Sequence, residues 1–112
     1  MFKNCNNLEN VLLQSFDTEA VTDLSYMFYG CNSIKELDLS NFETPQVTNI
    51  SYMFDSCTNL ELINLNNFNT LKCKDFTNVF NDCRKLNINI NSKYCSSLIQ
   101  ILPDYVKYTF ID

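Results

Sequence analysis

Cys5, Cys31, Cys57 and Cys83 follow one another at intervals of 26 residues. A period of that length constrains a chain to stack copies of one small unit rather than to close a single irregular core. The other columns keep the same step. Phe2, Phe28, Phe54 and Phe80 stand three residues before each cysteine, preceded by Met1, Met27, Met53 and Val79; Leu8, Ile34, Leu60 and Leu86 stand three after it. Val11, Leu37 and Ile63 come next, then Leu13, Leu39 and Leu65, then Phe16, Phe42 and Phe68. Val21, Val47 and Cys73, with Leu24, Ile50 and Phe76, complete the unit.

Two hydrophobic periods alternate inside the unit. Ile34-x-x-Leu37-x-Leu39-x-x-Phe42 holds the period-two alternation of a short strand. Val47-x-x-Ile50-x-x-x-Phe54-x-x-Cys57 steps by three, four and three, which predicts one face of a short helix. Thr22 and Thr48 stand where the N-caps of those helices belong, and Pro45 keeps the residues before Val47 extended. The expected unit is strand, turn, short helix, turn. No single unit can bury both its strand residues and its helix stripe. Stacking the strands in parallel, ~4.8 Å apart, brings each column against its own copies. The expected fold is therefore an α/β solenoid with a parallel sheet on one face.

The pattern weakens at both ends. After Cys83 and Leu86, the apolar strand residues Ile88 and Ile90 come one position early, and the following unit does not return in phase. Residues 94–102 predict a short helix ended by Pro103, and Tyr105–Phe110 alternates like a strand. The expected organisation is a repeat array over residues 1–91 and a degenerate repeat or cap over 92–112, since terminal repeats must cover the last rung. Met1-Phe2 aligns with Met27-Phe28, so the sequence enters partway through a unit. The expectation is a slice of a longer array, because uncapped repeat ends are poorly soluble.

The composition narrows the function classes. The net charge of −5 is spread without a basic cluster, which argues against a nucleic-acid surface. No apolar run reaches the ~20 residues that span a bilayer, so no direct membrane insertion by this segment is expected. There is no apolar leader segment after Met1. The chain has no His and one Gly, leaving no ordinary base for a nucleophilic cysteine and no phosphate loop. A non-catalytic protein without cofactor or metal is expected.

The string Val21-Thr-Asp-Leu-Ser-Tyr-Met-Phe-Tyr-Gly-Cys31, then Leu37-Asp-Leu-Ser-Asn-Phe42, then Val47-Thr-Asn-Ile-Ser-Tyr-Met-Phe-Asp-Ser-Cys57 resembles the BspA-like leucine-rich repeat surface proteins, whose repeats are related to those of mycoplasma lipoproteins. The resemblance covers roughly residues 1–91. It implies a leucine-rich-repeat-like, right-handed array that is non-catalytic and mostly surface-exposed, with adhesion among the family's roles. The family offers no partner residues to transfer. Gly30 alone keeps the Gly-Cys pair, and Cys73 replaces a Val.

Cysteines on adjacent rungs would lie within disulfide reach, but as parallel projections they are better read as buried thiols. Disulfides and, more weakly for want of His, a metal stay open as alternatives. Cys73 should fill a core site, and Cys95 should be the most accessible. The candidate site is the exposed strand face: Asn10, Leu12 and Gln14; Glu36, Asp38 and Ser40; Leu62, Asn64 and Asn66; and, after the one-residue shift, Asn87, Asn89 and Asn91. Its amides both donate and accept. They could bind a protein partner (host, matrix or scaffold), or simply bond to one another. Four rungs make a small site beside the ~800 Å² per partner of a standard interface. Tyr26, Tyr29 and Tyr52 are expected to pack over the helical side. The expected location is the cell surface or exterior; the alternative is a cytoplasmic scaffold with reduced thiols.

Overall fold

A computed structural model describes residues 17–111. Alternating apolar residues make the strands: β1 (Glu36–Asp38), β2 (Leu62–Leu65) and β3 (Asn87–Ile90) each bury one face. A short helix, α1 (Ser96–Gln100), precedes β4 (Lys107–Phe110). The four strands form one parallel sheet in the order β1-β2-β3-β4. Glu36 pairs with Leu62, 26 residues on; Leu62 pairs with Asn87 and Asn87 with Lys107, so the step shortens along the chain. The early Ile88 and Ile90 fall directly beside Ile63 and Leu65.

The other half of the unit corrects the expected helix. Residues 24–31 and their copies are chains of overlapping turns, and α1 is the one helix among the described residues. Met27, Tyr29 and Cys31 donate their N–H groups three residues back, to Leu24, Tyr26 and Phe28. The intervening N–H groups of Leu24, Tyr26, Phe28 and Gly30 instead donate to Asn49, Ser51, Met53 and Asp55 of the next copy, at 2.9–3.0 Å. Ile50, Tyr52, Phe54 and Ser56 repeat this toward Asp75, Thr77, Val79 and Asn81. Tyr26, Tyr52 and Asn78, and also Gly30, Ser56 and Asp82, hold φ between 52° and 73°. An α-helix cannot contain such residues. The 3-4-3 apolar spacing therefore arises from turns. Thr48 is not an N-cap: its N–H donates to the Thr22 carbonyl of the preceding copy.

This arrangement couples the copies more tightly than helices would. A helix satisfies its interior backbone within itself, whereas here half the turn-region donors need a neighbouring copy. The core follows the same register. Phe28, Phe54 and Phe80 are fully buried and stack with ring centroids 5.6 Å apart and planes 3° apart. Buried Thr18, Thr44 and Thr70, a 26-residue column of polar residues, donate their hydroxyls to the carbonyls of Glu43, Asn69 and Tyr94 in the next copy. Tyr26 and Tyr52 stack at 4.8 Å on the outer surface of the turn half.

Candidate functional site

The strand register brings most of the expected surface residues together. Glu36, Leu62, Asn87 and Lys107 form one cross-strand row, and Asp38, Asn64, Asn89 and Thr109 form the next. Glu36 and Asp38 are exposed, whereas Leu62, Asn64 and Asn89 are half-buried between their neighbours. Ser40, Asn66 and Asn91 follow at the strand ends, also half-buried. Asn10, Leu12 and Gln14 lie outside the described residues.

Hydrogen bonds divide this face into occupied and available groups. The Asn89 side-chain amide donates to Asn64 Oδ1 at 2.6 Å, so these two ladder with each other. Asp38 Oδ1 accepts the Ser40 N–H at 3.0 Å, which holds its carboxylate at the strand end. Asn67 donates to the Ser40 carbonyl and ties adjacent strand ends. Glu36 projects with no such tie among the described residues. The face therefore runs from an acidic pair on β1, through laddered amides, to Lys107 on β4. Lys107 and Thr109 extend the expected set. The period-two pattern of residues 105–110 signals them once Tyr108 and Phe110 fall in register beside Ile88 and Ile90, although both rings stay exposed on this last strand.

The cysteines are placed as core residues. Cys31, Cys57, Cys73, Cys83 and Cys95 are free and buried. Cys57 Sγ donates to the Phe28 carbonyl at 3.1 Å, Cys83 Sγ to that of Phe54 at 3.0 Å, and Cys95 Sγ to that of Phe68 at 3.3 Å. Burial pushes the Cys83 thiol up to about 12 and the Cys95 thiol up to about 11. Burial, then the neighbouring Cys83 and Cys31, push Cys57 up further. Such thiols stay protonated near neutral pH and make poor nucleophiles. Cys95 overturns the expectation of accessibility: it is completely buried beneath the start of α1. It too caps a carbonyl, but that of Phe68, in a different column from the Phe28 and Phe54 carbonyls that Cys57 and Cys83 cap. Cys5 lies outside the described residues.

Among the described residues, no group of three or more His, Cys, Asp or Glu side chains could hold a metal ion. No helix among them is long and apolar enough to cross a membrane. Asp23 and Asp75 have carboxyl groups held below the usual range by hydrogen bonds from Ser25 and Thr77, which close local turns.

No curated protein and no solved structure matches the chain. Residues 1–104 match the family described as Mycoplasma protein of unknown function, DUF285. That match spans nearly the whole sequence, covering the repeat columns and the closing segment as far as α1 but stopping short of β4, and the chain belongs to this family.

Proposed function

We propose that the chain is a right-handed, leucine-rich-repeat-type solenoid module of the BspA-like kind, carried by a cell-surface protein, and that its strand face binds a protein partner. The observation that carries this reading is the exposed acidic pair Glu36 and Asp38 at the edge of the amide-laddered parallel sheet that the described residues form. Such a surface suits a broad polypeptide contact: laddered amides are held in place, and the edge carboxylates select charge on the partner. The reading also assigns the module no catalysis, since the thiols are buried and no acid–base constellation accompanies them.

The test is binding of the purified chain to a panel of immobilised extracellular-matrix proteins, beside a Glu36→Arg, Asp38→Arg variant. The reading expects at least one panel member to bind, with affinity reduced at least tenfold in the variant. Equal binding by both proteins, or none by either, would count against it. The second reading is an intracellular scaffold. It is favoured by the five buried thiols, none in a disulfide and four of them donating to backbone carbonyls, a state that a reducing compartment maintains. A leader peptide or lipid-attachment motif in the complete reading frame would exclude that second reading.

A further inference from the structure

The turn half of each copy ends in a row of N–H groups, and the chain fills that row twice. The third copy meets no fourth. The step from β3 to β4 is short, 20 residues from Asn87 to Lys107, so the chain cuts across through Pro103 and Tyr105 instead of running along residues 75–81. Tyr105 closes one end of the exposed edge: its hydroxyl accepts the Asp82 N–H at 3.2 Å and donates to the Phe80 carbonyl at 3.3 Å. The N–H groups of Phe76, Asn78 and Phe80, counterparts of those that bridge the earlier copies, donate to no group among the described residues. They lie along a cleft of about 400 Å³, whose opposite wall is Ile101, Pro103 and Tyr105.

We propose that this edge, a surface apart from the strand face, takes up a segment of a partner polypeptide that adopts the same chain of overlapping turns. The segment runs parallel to residues 75–81, and its alternate carbonyls accept the three N–H groups. The occupant is specified by the interface the molecule already makes twice, in which a chain of overlapping turns presents carbonyls at every second residue to the same three columns of donors. As when a segment adds to an open sheet edge, affinity comes from main-chain hydrogen bonds and selectivity from alternate side chains. Half-buried Phe76 and exposed Ile101 select apolar side chains at those positions. In a folded second copy the carbonyl rows at 49–55 and 75–81 already accept hydrogen bonds from within that copy, whereas a free segment offers all its acceptors.

The probe is an end-capped peptide of residues 47–57 with Cys57→Ser, titrated into the full chain labelled with ¹⁵N. The expected result is saturable shifts of the Phe76, Asn78 and Phe80 amides, with exchange of those amides slowed at least tenfold. Ile101→Arg, which crowds the cleft from an exposed position, should weaken binding at least tenfold. The exchange readout on the unmodified chain stands independently of whether that variant folds. Unmoved amides at 76, 78 and 80 at peptide saturation would overturn the proposal. So would shifts confined to Asn64 and Asn89, which would leave the strand-face reading intact. Concentration-dependent sedimentation with the same three amides shifting in the absence of peptide would show a second copy as occupant, and would equally overturn it.

Discussion

Phe54 and Phe80 occupy equivalent columns, yet their surroundings differ. Phe54 lies between two parallel rings, whereas Phe80 stacks on one. The N–H of Phe54 donates to Val79 of the next copy, while that of Phe80 has no acceptor among the described residues. In the interior, each copy is completed by the one after it, through backbone and side chain together. In the closing segment, substitutes do part of the same work: Tyr105 supplies one hydroxyl where a further copy would supply a carbonyl and a thiol, and its ring is steadied by Arg84 at 4.9 Å. The contacts between copies thus carry bonding that a helix would keep within itself.

The largest test of this contrast is truncation of the two rings. Phe54→Ala should cost about 3–5 kcal/mol in denaturant unfolding, with Phe80→Ala costing less because one stacked ring is lost instead of two. Equal losses would break the comparison.

The thiols give the next effect. A cysteine in the unfolded chain titrates near 9, while in the folded protein Cys83 is pushed up to about 12 and Cys95 to about 11. Between those values the unfolded chain binds fewer protons than the native one. Stability contributed by protonated thiols is therefore full below pH 9 and is lost as pH rises toward 12. Thermal melts across this range should fall steadily, and native-state alkylation should reach Cys95 before Cys83 or Cys57. Alkylation of Cys57 first would contradict the placement of the interior ladder.

Tyr105→Phe removes both hydrogen bonds that close the last copy. It should cost about 1–2 kcal/mol and speed exchange of the Asp82 amide while leaving the Ser56 amide unchanged. An unchanged Asp82 exchange rate would show that the hydroxyl does not substitute for a missing copy. The smallest effect belongs to the strand face: Glu36→Arg with Asp38→Arg should leave stability within about 1 kcal/mol, as exposed substitutions do. A larger loss would mean that β1 is covered.

The strand half was legible because the Leu37-x-Leu39 pattern has a period that only extended chain produces, and the 26-residue step then fixed the register, including the early Ile88. The turn half was not. A 3-4-3 apolar spacing is common to a helix face and to overlapping turns, and tyrosine at 26 and 52 concealed the left-handed columns that Asn78, Gly30, Ser56 and Asp82 suggest. Thr18, Thr44 and Thr70 keep the period, but a polar column carries no sign of its burial in the sequence. Of the candidate site, Glu36, Asp38 and the amide rows could be placed by alternation alone. Lys107, Thr109 and the exposed edge at 76–80 could not, because they depend on where the shortened last connection returns to the sheet. The same dependence hid Cys95, which only the closing turn buries.

Scalar couplings across hydrogen bonds identify each amide's acceptor and so test the copy-to-copy bonding most directly. The account predicts couplings from the Tyr52 nitrogen to the Thr77 carbonyl carbon and from the Phe54 nitrogen to that of Val79. A coupling from Phe54 to Ile50 instead would place a helix in the turn half and contradict the account.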